Sequence, residues 1–380
     1  MVKMVHVCLV SEQPIPNMTT ILQYCPDTVV LLYTDQTRAV KQRLAAAIKA
    51  RGIAVDALEI KAFDMKDVTS KAKSVIEKYR DSELSLNITG GTKIGTLGVF
   101  QVFSQAGVLI HYVNTHGNEI LRLHPDEASQ PIRVNIPIRE YLALHGFAGT
   151  SYTDTFTDIV RRRNITFALK NLVIRMPVAI GELNEALQKA CPGSNTEKAS
   201  YPLTIMIKDH SLIKLEEALR SAGIISVSAA NKWVVADRES ADYLHGFWFE
   251  EYVCLCAIEA GADEVLLNVK GTWDSVGSNP PRNEFDVMIG KGNRLFFISC
   301  KTAYPDRRNK GDTESISKEY LYELDSLGHK ALGLFGKKML ASARPITNKY
   351  VLKRAETMNI KLVHGREIKN LKEIITEWIN

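Results

Sequence analysis

The sequence predicts an α/β protein of more than one unit, and three observations carry that prediction. Short apolar runs at residues 5–10, 28–34, 84–89 and 107–113 alternate with segments of helical spacing, such as 37–51 and 68–79. The chain has 380 residues, long for a single core, so two or three domains are expected. A second strand-rich stretch, 282–302, carries charge inside runs that otherwise read as buried strand.

Composition narrows the class. At 45% hydrophobic and 24% charged residues, the chain reads as an ordinary globular protein. No apolar run reaches the roughly 18 residues of a membrane span, so no membrane partner is expected. The N-terminus enters the strand-like VHVCLV directly, without the features of a signal peptide. Cys8, Cys25, Cys191, Cys254, Cys256 and Cys300 are scattered and form no CxxC pair. That argues against zinc and disulfides and fits a cytoplasmic location. A net charge of +5 permits nucleic-acid contact without arguing for it.

Strands alternating with helices imply a parallel sheet covered on both faces, a Rossmann-like unit over 1–145. Ligands on such sheets bind beyond the carboxyl ends of the strands. Those ends carry Ser11, Gln13 and Asn17 after the first strand and Thr34 after the second. After the 84–89 strand comes Asn87-Ile88-Thr89-Gly90-Gly91-Thr92-Lys93. Two glycines, hydroxyls, bare N–H groups and a lysine before a helix suit a phosphate. Neither GxxxxGK[ST] nor GxGxxG is present, so ATP and NAD fingerprints are missing. The alternative is a tight turn and nothing more. Residues 119–135 read as a hairpin that closes the unit, and a helix begins near Ile138.

Residues 146–240 are read as a connector. Helices over 180–190 and 211–222, followed by the strand pair IISVS and KWVVA, are compatible with a winged helix. Arg161, Arg162 and Arg163 would then contact DNA or lie on a solvated face; the absence of a basic recognition helix favours the second. Asn195 and Lys198 sit in a polar loop of no clear role.

The last unit, 241–380, opens with a helix from His245. Trp248, Leu255 and Ile258 share one stripe, with Phe249, Val253 and Cys256 beside it. Glu250 and Glu251 fall in its first turn, where the macrodipole favours carboxylates. Phe285, Val287 and Ile289 alternate with Glu284, Asp286 and Met288, then Lys291-Gly292-Asn293 turns the chain into 295–298. If the hairpin pairs, Asp286 and Lys301 face one pocket, as a metal ion and an activated water require. An ordinary surface ion pair is the alternative. The basic loop 304–310 suits a phosphate backbone or a solvated surface. A helix over 316–327 presents Ile316, Tyr320, Leu324 and Leu327 on one face, with Lys318 and Glu319 off it and toward the site. Strands at 331–335 and 361–364 and a helix at 368–379 complete the unit.

Two resemblances gather these observations. The strand followed by Asn-x-Thr-Gly-Gly-Thr-Lys and a helix, with Ser-Glu-Gln-Pro after the first strand, resembles the CRISPR-associated Rossmann-fold (CARF) sensor domain. Such domains dimerise and bind cyclic oligoadenylate across the two-fold axis. The resemblance implies a cleft lined by Ser11, Gln13, Asn17, Thr34, Gly90, Gly91, Thr92 and Lys93, with Thr115 a weaker candidate. His111 and His116 could bear on ring opening, although lone histidines near a sheet are more often structural. The order Glu250, Asp286, Lys301 on a helix and two strands resembles the PD-(D/E)xK nuclease superfamily. It implies a divalent ion, Mn2+ or Mg2+, on Glu250, Asp286 and the Cys300 carbonyl. Ser299 stands where many members have a carboxylate; Glu284, two residues from Asp286 on the same strand face, would take its place as a metal ligand. Sensor plus nuclease is similar to the ancillary nucleases of type III CRISPR systems. The expectation is a homodimeric, cyclic tetra-adenylate-activated, metal-dependent endonuclease acting on DNA, single-stranded RNA or both. The rival readings are a ligand-responsive DNA-binding regulator with a degenerate nuclease fold, and a plain Rossmann nucleotide enzyme.

Overall fold

The computed structural model of the protein describes residues 2–153, 156–190, 200–274, 282–303 and 316–380. Cys191, Asn195, Lys198, the loop 304–310 and the Ile316 side chain lie outside the described residues. Among the described residues no helix is long and apolar enough to cross a membrane.

The first apolar runs become strands because β-branched residues fill both faces. In order, the elements are β1 (Met4–Leu9), α1 (Ile15–Tyr24), β2 (Thr28–Tyr33), α2 (Arg38–Lys49), β3 (Ala54–Glu59), α3 (Met65–Lys78), β4 (Glu83–Asn87), α4 (Lys93–Gln105), β5 (Leu109–Asn114), β6 (Glu119–His124) and β7 (Ala128–Pro131). The sheet order is β3-β2-β1-β4-β5-β6-β7. β1 to β5 run parallel, and β6 and β7 return antiparallel. Val5, Val7 and Leu9 pack under α3 and α4, whereas Cys8 packs with Met18 and Leu44 of α1 and α2. Period-two alternation thus feeds two separate cores.

At the amino ends of β1 and β4, His6 is fully buried. Its ring nitrogens lie 2.7 Å from Ser85 Oγ and 2.9 Å from Thr20 Oγ1. Tyr24 stacks on His111 at 4.8 Å beside it. Burial, then the neighbouring His111, lowers the His6 pKa from 6.5 to about 3.

The start of the stretch read as a connector adds a strand to the C-terminal sheet. α5 (Ile138–Leu144) is followed by β8 (Phe147–Thr153), and β8 pairs antiparallel with a strand of the C-terminal sheet. The reason is aromatic packing: the Phe147 ring meets Trp273 and Phe285 edge-on at 5.0 and 5.2 Å. Then come α6 (Phe156–Arg175), α7 (Pro177–Ala190), β9 (Leu203–Met206), α8 (His210–Ile213), α9 (Glu216–Ser221), β10 (Ser226–Ala229), β11 (Lys232–Val235) and α10 (Arg238–Asp242). The order α7-β9-α8-α9-β10-β11, with sheet order β10-β11-β9, is a winged-helix arrangement.

The C-terminal unit runs α11 (Trp248–Glu259), β12 (Glu264–Trp273), β13 (Arg282–Lys291), β14 (Arg294–Lys301), α12 (Ile316–Ala331), β15 (Lys337–Ser342), α13 (Lys349–Thr357), β16 (Ile360–His364) and α14 (Leu371–Ile379). Its sheet order is β16-β15-β14-β13-β12-β8. Gly292 and Asn293 take φ of +55° and +56°, as a two-residue turn matched to strand twist requires. The strand expected at 331–335 is instead the end of α12 and a turn, and the strand lies at β15. Gly333 at φ +63° stops the helix, and a Cβ at Gly336 would meet Leu332 O at 2.5 Å.

Nor is α11 a two-stripe helix. From Trp248 to Ala257 every residue except the half-buried Glu250 is buried, while Ile258 is exposed. Glu251, in the first turn of the helix, is fully buried. Its Oε1 accepts from Arg162 Nε at 3.1 Å and from a terminal guanidinium nitrogen at 2.5 Å. Arg162 is itself buried, against the expectation of a solvated basic face, while Arg161 and Arg163 stay exposed. One interior charge demanded the other.

Two predictions follow from these burials. His6 titrates far below its unfolded value, so the unfolded chain binds more protons in acid, and stability falls as pH drops from 6.5 toward about 3. Urea midpoints at pH 7.5 and 5.0 will show this loss, and His6→Asn will flatten it; an unchanged slope in His6→Asn assigns the loss elsewhere. Arg162→Met will cost about 3–5 kcal/mol by stranding Glu251. Arg162→Met with Glu251→Leu will recover most of that loss in thermal melts.

Candidate functional site

Two places collect the residues singled out by the sequence. The first is the carboxyl edge of the N-terminal sheet. The strand order reverses between β1 and β4, the crevice where open α/β sheets bind ligands. The two loops there touch. A Cβ at Gly90 would stand 2.4 Å from Leu9 O and 3.0 Å from Ser11 Oγ, so only glycine lets the chain pass. Gly91 takes φ +92°. Thr92 caps α4, accepting from Gly95 N at 3.1 Å and donating to Ala62 O at 2.6 Å. Lys93 then opens the helix with its side chain exposed. The helix start thus offers N–H groups and a cation at one spot.

The other residues of this group divide. Asn17 is buried beneath the loops, donating to Leu9 O at 2.9 Å and accepting from Asn87 Nδ2 at 2.9 Å. It clasps the strand ends rather than lining open space. Thr34 is buried in a reciprocal cap with Thr37. Thr115 is buried with its Oγ1 unpartnered. Ser11 Oγ holds the backbone of Gln13. The Gln13 side chain turns to the C-terminal unit, where Oε1 accepts from Leu334 N at 3.0 Å.

The second place lies at the end of β13 and β14. Asp286 Oδ2 accepts from Cys300 N at 2.7 Å and from Ser299 Oγ at 3.1 Å. Lys301 Nζ stands 3.7 Å from the same oxygen. Ser299 thus braces the Asp286 carboxylate. Lys301 also sits over the Tyr320 ring of α12 at 5.0 Å. Burial disfavours its charge, but Asp286, then Glu323 and Tyr320, leave its pKa raised. Glu250, from the first turn of α11, enters the same cleft with its Oε2 buried and unpartnered. Burial, then Asp286 and Glu284, holds its carboxyl well above the usual range, against Lys301 and Lys270.

Glu284 stays at the rim, paired with Lys270 at 3.2 Å. Lys270 faces it across the β12–β13 ladder, which keeps Glu284 off the centre that Asp286 occupies. Among the described residues no group of three or more His, Cys, Asp or Glu side chains could hold a metal. The donor set is two carboxylates and backbone oxygen. An orphaned carboxylate oxygen beside a second carboxylate still fits a hard cation, which would relieve both.

Sequence reasoning missed several residues around this site. Tyr320 packs against the core as expected and also meets Lys301, and Glu323, one turn further on, acts on Lys301 with it. Their i, i+3 spacing was the available signal. His245, Thr302 and Arg344 also line the cleft, and Arg344 Nε donates to Thr302 O at 3.0 Å. No local pattern marks Arg344, which lies two residues past the end of β15.

Ser299→Ala leaves Asp286 its backbone bond and removes the hydroxyl one. It should fold as the parent does and lose roughly tenfold in affinity for a divalent cation, read by calorimetry; parent-like affinity would exclude the bracing role.

Both ends of the chain match known domains. Residues 5–141 match the Card1 CARF domain, and residues 237–380 match the Card1-like endonuclease domain. No curated protein sequence matches the chain. Among solved structures, Can2 from Sulfobacillus thermosulfidooxidans in complex with cyclic tetra-adenylate is 25% identical. It covers 99% of this chain and 97% of that one, with a TM-score of 0.78. Protein VC1899 from Vibrio cholerae, 22% identical over 99% of this chain and 98% of that one, shares the fold with a TM-score of 0.85. A type III CRISPR defence DNA nuclease activated by cyclic oligoadenylate, 15% identical, shares the fold over 94% of this chain and 47% of that one, with a TM-score of 0.51. The chain belongs to the family in which a CARF sensor of the Card1 type is joined to a Card1-like endonuclease domain.

Proposed function

We propose that the protein is a homodimeric endonuclease, switched on by cyclic tetra-adenylate and dependent on a divalent metal, that cuts DNA, single-stranded RNA or both. The observation that carries this reading is the meeting of Glu250, Asp286 and Lys301 in one cleft. The likeness to a Can2 solved with cyclic tetra-adenylate supports the choice of ligand. The domains we assign are a sensor over 1–145, a connector over 146–240 and a nuclease over 241–380, with β8 lent to the nuclease sheet.

Glu250, Asp286 and the Cys300 carbonyl would hold Mn2+ or Mg2+. Such an ion supplies Lewis acidity at the scissile phosphate. Asp286 is held in place by Ser299 and Cys300 N, so its carboxylate needs no reorganisation. Lys301 keeps its proton beside Asp286 and stabilises charge that develops on the phosphate. Lys93 and the amides at the start of α4 would take the ring phosphates, and the unpartnered Thr115 hydroxyl gives a further donor.

Coupling between the halves has a physical route. Residues of α1 and α2 share one apolar core with Phe285, Phe297 and Leu324. Gln13 reaches Leu334, and Tyr141 OH donates to Leu332 O at 2.9 Å. Both contacts fall just past α12, the helix that carries Tyr320 to Lys301. A ligand that moves the Ser11–Gln13 loop thereby biases α12. The rival regulator reading loses ground on α9, the helix that would read DNA: it carries Glu216 and Glu217, and Glu216 is bonded to Trp233.

Supercoiled plasmid and single-stranded RNA, incubated with and without Mn2+ and cyclic tetra-adenylate, test the reading. Cleavage will require both additions, whereas retarded but intact DNA would favour the regulator. Lys301→Ala will lower cleavage at least a hundredfold, on the order of one lost electrostatic stabiliser, and leave ligand binding unchanged in calorimetry. Gln13→Ala will bind ligand and respond to it weakly.

A further inference from the structure

The nuclease cleft has a wall that does not come from the nuclease domain. Its volume is about 890 Å3, and its far side is α7, the first helix of the winged-helix unit. Gly181 places α7 against the nuclease domain: a Cβ there would stand 3.1 Å from the Arg344 guanidinium. From that contact the helix runs past Glu250 and Lys301, presenting Asn184, Glu185, Gln188 and Lys189 to the same space.

Their chemistry is that of a strand-holding surface. Asn184 Oδ1 is shielded from solvent and has no hydrogen-bond partner. A shielded amide oxygen without a partner is costly to keep without a use. An amide carries donors and an acceptor and can be turned either way, so it suits base edges or sugar hydroxyls. Gln188 is exposed one turn further along. Lys189 is paired with Glu185 at 2.7 Å, but both side chains are largely exposed, and such pairs give way easily to a phosphate. The mixed charge of the helix argues for contact through amides more than for a general electrostatic footprint.

We infer that α7 is the substrate wall of the nuclease: Asn184 and Gln188 hold a nucleotide of the bound strand, and Lys189 holds a phosphate beside it. The winged-helix unit thus serves the reaction through its first helix, while α9 stays away from nucleic acid. The inference rests on the nuclease reading above and deepens it by naming the residues that receive the polynucleotide.

The test uses the full chain with cyclic tetra-adenylate. Fluorescence anisotropy with labelled single-stranded DNA and RNA in Ca2+ gives Kd, and steady-state cleavage in Mn2+ gives KM and kcat. Asn184→Ala with Gln188→Ala will raise Kd and KM about tenfold, as two lost neutral hydrogen bonds would, with kcat changed far less. Lys189→Ala will weaken binding and lower its salt dependence. The control Glu217→Ala with Arg220→Ala, on α9, will match the parent. Thermal melts and ligand calorimetry establish that each variant is folded. A larger loss with the RNA probe than the DNA probe assigns the amide contact to the 2′-hydroxyl; equal losses assign it to bases or backbone. If the parent cleaves and the α7 variants keep its Kd and KM, the wall is inert and only this inference falls. If the parent neither binds nor cuts either strand, the nuclease reading itself falls with it.

Discussion

Oδ2 of Asp286 is the atom on which the cleft turns. It accepts from the Cys300 amide and the Ser299 hydroxyl, and the Lys301 ammonium stands beside it. Hydrogen bonds to a charged acceptor are each worth about 1.5–3 kcal/mol. They can form only when β13 and β14 are in the register set by the two-residue turn at Gly292 and Asn293. A slip of one residue would send Lys301 to the opposite face. The turn chemistry and the site chemistry are therefore one constraint.

Around that atom the molecule divides its labour between faces of one sheet. On one face α11 is buried almost completely and delivers Glu250, anchored by the adjacent Glu251 and Arg162. Toward the other, α12 delivers Tyr320 to Lys301 and joins the core that the sensor helices also use. The first arrangement links the nuclease to the connector, and the second links it to the sensor. Neither link is a flexible tether: each is made of packed side chains and paired polar groups, the kind of contact that has discrete arrangements.

Much of this was legible in the chain. The alternation in residues 5–113, the glycine pair before Thr92 and the hairpin at 282–302 each carry their own local signal. What misled was context. Residues 331–335 are apolar enough for a strand, yet Gly333 and Gly336 end a helix there and the strand is the more polar KKMLAS. β15 tolerates its lysines because Lys337 and Lys338 reach Trp378 O and Asp325. The three arginines of α6 look alike in sequence, and only the burial of Glu251 separates Arg162 from its neighbours. Gln13 follows the first strand and suits the sensor's own cleft, yet its partner lies 321 residues away.

By itself, the sequence determined two fold units and drew attention to Asp286 and Lys301, because period, turn residues and charge inside apolar runs are local quantities; Glu250 joined them only through the resemblance to a nuclease superfamily. The tertiary structure alone decided which carboxylate is orphaned, which is paired and which is braced. It also decided that β8 belongs to the second sheet and that α7 walls the cleft. Those outcomes depend on burial and on long-range partners, and desolvation acts on a side chain only after the chain around it has closed.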